Sequence, residues 1–220
     1  MLYKRLLIIF CFLLLQGCGS KFYVNVDSLC TPDAATKKHY VLLSGDKNIN
    51  IDDLQFQEYA SYIHNALALK GFTRVTEDSE ADIAILLRYY ISEPKEEEYT
   101  YSTPVYKTVY YYDLHGEKAT PYPIKQLDGY ETNVAHYTTY TKSFILEAVD
   151  FKTYFKAHTN KQIWTTTVWS SGSNSDLRQI FPRLVAAGMK YFGEKTPHTV
   201  EVEMDESDSR IQEINGSSEK

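Results

Sequence analysis

A helix set between two apolar strands constrains this chain more than any other feature of its sequence. The segments HYVLLSG (39–45) and ADIAILLRYYI (81–91) read as strands, and residues 52–70 between them have helical periodicity. Phe56, Tyr59, Ala60, Ile63, Ala66 and Leu67 recur at the three/four spacing of one buried face. Asp52, with Gln55 three residues later, has the pattern of a capping box, and Asp53 adds negative charge at the positive end of the helix dipole. Gly71 is placed to end the helix in a left-handed conformation, with Phe72 folding back to pack. In the second strand Ile83, Ile85, Leu87, Tyr89 and Ile91 share a face. A helical connection lets the two strands lie parallel, and its right-handed sense lays the helix on one face of their sheet.

The rest of the chain extends that sheet. Phe22, Val24 and Val26 alternate with polar residues and predict a short first strand. The segment YTKSFILEAVDFKTYF (140–155) reads as a long strand whose alternation breaks near Ala148-Val149, as at a bulge. HTNK (158–161) then turns it into an antiparallel partner, QIWTTTVWSSG (162–172). A last helix, roughly 176–192, buries Leu177, Ile180, Phe181, Leu184, Val185, Gly188 and Tyr191 or Phe192. Ser173, Asn174 or Ser175 can cap it, and Pro182 disturbs its first turns. The expected fold is α+β: a mixed, mainly antiparallel sheet with two main helices packed on one face. Residues 37–195 form the domain. Residues 196–220 carry seven acidic side chains against Arg210 and Lys220, and the sequence predicts a disordered acidic tail there.

Between 93 and 136 the pattern is weaker. Ten of the nineteen tyrosines fall between 99 and 140, and Asp113–Gly116 suits a turn, whereas TPYPIKQLDGYE (120–131) reads as irregular. The expectation is a Tyr-rich β insertion. Tyrosine is amphipathic and favoured in strands, so a half-covered sheet face accounts for the cluster. Because aromatics also dominate binding hot spots, Tyr99, Tyr101, Tyr106, Tyr110 and Tyr112 form the candidate binding surface.

The start of the chain indicates its address. Lys4 and Arg5 precede an unbroken apolar run from Leu6 to Leu15. As a helix that run would span about 15 Å, half the roughly 30 Å hydrocarbon core of a bilayer. Basic flank, short apolar run and small residues form the pattern of a secretory leader. Leu15-Gln16-Gly17-Cys18 resembles a bacterial lipobox, with Gln16 standing where a smaller residue is usual. The resemblance implies removal of residues 1–17 and lipidation of Cys18, with residues 18–36 holding the lipidated cysteine, a tether and the first short strand. Two or more acyl chains make such an attachment stable. Gly19 in place of Asp after the cysteine implies the outer membrane, periplasmic or surface face, by likeness to sorting in enteric bacteria. Of three cysteines, Cys11 leaves with the leader and Cys18 is acylated, so Cys30 is the one thiol left and no internal disulfide is expected.

The order of these features, with LALKGF, ADIAILLRYY, FILEAVD, KQIWTTTVW and DLRQIFPRLVAAGMKYFG, resembles a family of Gram-negative lipoproteins that carry a single domain of unknown function. The resemblance covers about residues 18–195. Its motifs are structural: Gly71 caps, Asp82 opens a strand and Trp164 packs on the penultimate element. It implies no catalytic signature.

No zinc-helix motif, phosphate-binding glycine loop or Gly-x-Ser-x-Gly elbow is present. The six histidines, His39, His64, His115, His136, His158 and His198, are scattered without metal-ligand spacing, and His64 reads as a surface or boundary residue. Asp150 reads as a partner of backbone donors rather than an acid. SSGSNS (170–175) reads as turn and cap chemistry, with an anion at the helix N-terminus as the alternative. No basic patch suggests nucleic acid, although the net charge is only −6. No cofactor, no metal and no enzymatic activity are expected. The expected role is binding or structural, at a membrane held through Cys18 and with an envelope protein as possible partner. An auxiliary subunit of an envelope transport or assembly complex is the alternative, and an envelope hydrolase the third reading.

Overall fold

A computed structural model describes residues 21–76, 80–115, 118–156, 159–205 and 207–216. The leader and Cys18 lie outside the described residues, as do residues 157–158 of the connection that includes HTNK. The strands are β1 (Lys21–Cys30), β2 (His39–Ser44), β3 (Thr73–Arg74), β4 (Ile83–Ile91), β5 (Lys95–His115), β6 (Lys118–Asp150), β7 (Gln162–Gly172) and β8 (Val200–Asp205). The helices are α1 (Leu54–Leu69), α2 (Phe151–Lys156), α3 (Leu177–Gly188) and α4 (Ser209–Ile214). The chain divides into two units. One holds the described residues up to Ser92, Thr141–Ser171 and those from Ser175 on; the other holds Glu93–Tyr140 with Gly172–Asn174.

The strand order is β3-β2-β4-β6-β7-β1-β8, with β5 pairing β6 off this path. β2 runs parallel to β3 and β4, while β4–β6, β1–β7 and β1–β8 are antiparallel. The fold is therefore α+β with a mixed, mostly antiparallel sheet, and β2-α1-β4 is the parallel crossover expected from the sequence.

Local chemistry sets the helix ends. The cap of α1 is Asp53 rather than Asp52: its Oδ1 accepts from Gln55 N at 2.8 Å and Phe56 N at 3.1 Å. Asp52 lies one residue too early and donates its own N–H to Asn50 Oδ1. Gly71 has φ +76°, which an L side chain rarely adopts, and Phe72 N returns to Leu67 O at 2.9 Å. At α3 the cap is Asp176, accepting from Gln179 N at 3.2 Å, and not Ser173, Asn174 or Ser175. The helix continues through Pro182.

The core lies between one sheet face and α1, α3 and α4. Tyr59 stacks on Phe181 with centroids 4.0 Å apart, and Phe144 approaches Phe181 at 5.4 Å. Trp164, Phe72 and Phe192 continue this aromatic layer. A second, smaller cluster on the opposite sheet face buries Ala84, Val149 and Phe151 with Val41 and Leu43 packed beside them. This cluster replaces the expected bulge. Phe144, Leu146 and Ala148 face the main core, Val149 faces the second one, and the alternation is lost because both faces are covered. The strand ends at Asp150, where the chain enters α2 instead of running on to 155.

The segment beyond 196 is also corrected. Val200 to Asp205 pair with β1, placing Val202 beside Val24 and Met204 beside Phe22, and α4 buries Ile214 completely. Counted by composition the segment is acidic, but along β8 the acids alternate: Glu201, Glu203 and Asp205 are exposed while Met204 is 2% exposed. Asn65 Nδ2 donates to Ile214 O at 2.7 Å, fastening α4 to α1. Ser28 fastens the start of this segment: its N–H donates to Thr196 Oγ1 at 3.0 Å, and its Oγ lies 2.9 Å from the Glu194 carbonyl.

If α4 belongs to the core, Ile214→Ala should lower stability by about 2–4 kcal/mol at unchanged urea m-value. An unfolding midpoint equal to that of the parent would mark the helix as peripheral.

Candidate functional site

The tyrosine-rich segment forms a long hairpin. β5 pairs with β6 from Lys95↔Thr139 to His115↔Lys118, so the stretch read as irregular, 120–131, is strand throughout. Prolines 104, 121 and 123 and the scattered polar residues hide its period of two. Such residues are tolerated on an edge strand, where one row of backbone groups has no neighbour to bond. The register shifts between Val105 and Tyr106, with Asp128 as the extra residue on β6, and Lys107 Nζ pairs with Asp128 at 2.7 Å.

Strand alternation divides the five candidate tyrosines between two faces. Tyr99 and Tyr101 share one face with Tyr137, their rings 5.9 Å apart from Tyr99 to each neighbour. Tyr106, Tyr110 and Tyr112 lie on the other, toward which Tyr130 also points from its place opposite Pro104. Tyr110 is 63% and Tyr112 66% exposed. The five tyrosines expected on one surface thus lie on a ribbon with an aromatic row on each side.

The other candidates resolve as structural groups. Asp150 accepts Lys37 Nζ at 2.6 Å and Thr153 N at 3.1 Å, and the lysine hydrogen bond holds its carboxyl below the usual range. It caps α2 and fastens the loop before β2. His39 N and Nδ1 both lie 3.0 Å from Asp82 Oδ2, closing the entry to β4. Cys30 is a free, half-buried thiol at the end of β1. Among the described residues no group of three His, Cys, Asp or Glu side chains could hold a metal ion.

One constellation was not legible in the sequence. Tyr40 on β2 is 1% exposed, and its hydroxyl lies 2.8 Å from His64 Nδ1 on α1. Arg74 on β3 stands opposite Tyr40 in register. Burial first, and then the Arg74 charge, pushes His64 down to about 4, while burial pushes Tyr40 up to about 12. His64 and Arg74 line a cleft of about 370 Å³ together with the apolar Leu42, Ile51, Phe56 and Ala60 and the polar Asp52, Gln57 and Ser61. No periodicity could have found it, because Arg74 reaches His64 only through the parallel pairing of β2 and β3.

A family model described as a domain of unknown function, DUF4136, matches residues 24–192. The chain belongs to that family. The match includes the hairpin and the cleft, and it ends before β8 and α4. No curated protein matches the chain. Among solved structures it is similar to the crystal structure of a PDZ domain protein from Parabacteroides distasonis ATCC 8503. The TM-score is 0.44 and the identity 15%, over 92% of this chain and 43% of that one. The chain thus spans less than half the length of that structure's chain, and nothing about function follows from so distant a likeness.

The half-buried histidine has a pH consequence. In the unfolded chain His64 takes up its proton near its ordinary value of 6.5, whereas the folded protein resists until about 4. Acidification through that interval therefore favours the unfolded state. Urea midpoints should fall between pH 6.5 and about 4, and His64→Gln should flatten that part of the profile. An unchanged slope in the variant would assign the pH dependence to other groups.

Proposed function

We propose that this protein is a lipid-anchored outer-membrane lipoprotein that acts by binding an envelope protein, not by catalysis, and that the hairpin is its contact arm. The observation that carries the reading is the hairpin itself. Twenty-one residues of β5 extend roughly 70 Å at strand rise, and among the described residues β5 pairs only with β6. Its outer edge therefore offers a row of unpaired backbone donors and acceptors, flanked by exposed tyrosines, to which a partner can add a strand. Aromatic side chains of this kind supply contact area at low entropic cost.

The anchor reading rests on the leader pattern and on Leu15-Gln16-Gly17-Cys18. It sets the arm within tether reach of a membrane surface. No helix among the described residues is long and apolar enough to cross a membrane.

Two experiments test the proposal. Glu96 and Thr138 face each other in register, so a short Gly-Ser turn can replace everything between them without breaking the pair. Photocrosslinkers at Tyr110 and Tyr99 in intact cells should capture a defined envelope protein. The shortened protein should keep its unfolding midpoint and lose that partner on co-purification. Retention of the same partner without the hairpin would overturn the contact assignment. For the anchor, Cys18→Ser should abolish lipid labelling and leave the leader uncut, read by metabolic labelling and mass; labelling that persists would refute it.

A further inference from the structure

We propose that the cleft between α1 and the β2–β3 edge is a binding site for a small amphipathic monocarboxylate. Its carboxylate would bond the Arg74 guanidinium and His64, and its apolar body would lie over Leu42 and Ile51.

Four observations converge on this ligand class. First, Arg74 has no ion pair or hydrogen-bonding acceptor for its guanidinium among the described residues, whereas Lys37, Lys70, Arg88 and Arg178 of the same unit are each paired with a carboxylate. A guanidinium is planar, always charged and shaped for a carboxylate, so leaving one unpaired beside a cleft favours an anion there. Second, the Tyr40 hydroxyl is buried and has one hydrogen, and the acceptor within reach is His64 Nδ1. Tyr40 therefore donates, His64 is fixed as the neutral tautomer with its proton on Nε2, and that N–H is a second donor for the same anion. Third, about 370 Å³ falls within the range of small-molecule pockets, and the wall is mixed: Leu42 and Ile51 offer apolar surface beside the polar Gln57 and Ser61, which suits a ligand with one charged end and a short apolar body. Fourth, Asp52 lines the cleft from the start of the helix, while His64 stands two turns beyond Phe56, about 12 Å along the axis. A fixed negative charge at that end disfavours dianions such as phosphate and leaves a single carboxylate at the Arg74 end as the better match.

The test uses the full chain in nonionic detergent, with hexanoate as probe and hexanol and inorganic phosphate as controls. Hexanoate should bind saturably by calorimetry, shift the His64 ring resonances and raise that ring's pKa, since an anion beside it offsets the Arg74 charge. Arg74→Gln, a substitution at an exposed position, should weaken hexanoate by about tenfold or more, the loss expected for a charge-assisted hydrogen bond. Hexanol and phosphate should bind the parent at least about tenfold more weakly than hexanoate on the same scale. The proposal is overturned by binding that does not saturate, by unmoved His64 resonances, by equal affinity in Arg74→Gln, or by hexanol or phosphate matching hexanoate.

Discussion

Strand β4 is buried on both faces, and the rest of the main unit is arranged around that constraint. Ile83, Ile85 and Leu87 point to the main core while Ala84 and Leu86 point the other way, all at 6% exposure or less. A strand covered on both sides needs a hydrogen-bonded neighbour along each edge and a layer on each face. β2 supplies the parallel edge and β6 the antiparallel one, with the pairings Leu42↔Ile85 and Leu146↔Leu87. α1 and α3 cover one face, and α2 covers part of the other through Phe151. The short α2 is thus a requirement of β4 more than an ornament on β6: without it Ala84 and Val149 would face water.

This same constraint explains what the sequence could and could not reveal. The crossover β2-α1-β4 was legible because its signals are local: a three/four apolar row, a cap, a glycine stop and two apolar runs. The cap slipped by one residue because Asp52 and Asp53 are adjacent and chemically alike, and only the backbone decides which one has the extended conformation of an N-cap. The end of β6 was misread because period-two reasoning assumes one dry face. β8 and α4 were missed because composition was averaged over a segment in which acidic and apolar residues alternate. In the hairpin, strand pairing was obscured by prolines that an edge tolerates, and the two-sided arrangement of tyrosines follows from the parity of their positions only once β5 is known to run unbroken past Pro104. The cleft required knowing which strands are neighbours.

The hairpin and the main unit obey different physics. In the main unit side chains are held by burial, and aromatic rings meet at 4 to 6.5 Å inside a closed layer. In the ribbon most tyrosines are exposed, and among the described residues their ring contacts are with cross-strand or same-strand tyrosines. Cross-strand pairs of this kind contribute roughly 0.2–1 kcal/mol each, and an isolated two-stranded hairpin is marginal in water. Ion pairs between Lys95 and Glu97 and between Lys107 and Asp128 help to fix the ribbon, yet exposed pairs add little. A long ribbon with two aromatic rows and an open edge has much to gain from a third strand, and that gain is the physical content of calling it a contact arm.

The cleft follows from how the sheet ends. β3 contributes only two residues, Thr73 and Arg74, before the chain leaves the edge. Had β3 run on beside β2, its side chains would have covered the flank of α1; instead Leu42, Phe56 and Ala60 line an opening. At its inner end the buried Tyr40 hydroxyl needs an acceptor, since an unsatisfied buried hydroxyl costs about 1–3 kcal/mol. His64 meets that need with one ring nitrogen, and the imidazole necessarily brings a second. A residue chosen only to satisfy Tyr40 could have been smaller and without a second polar atom. Because the ring is kept neutral by burial and by the Arg74 charge, the remaining nitrogen is a donor rather than a cation, and the arginine near it has no carboxylate partner among the described residues. The edge strand that stops early, the buried tyrosine and an arginine without a carboxylate partner among the described residues thus place two donors at one end of a mixed polar and apolar opening.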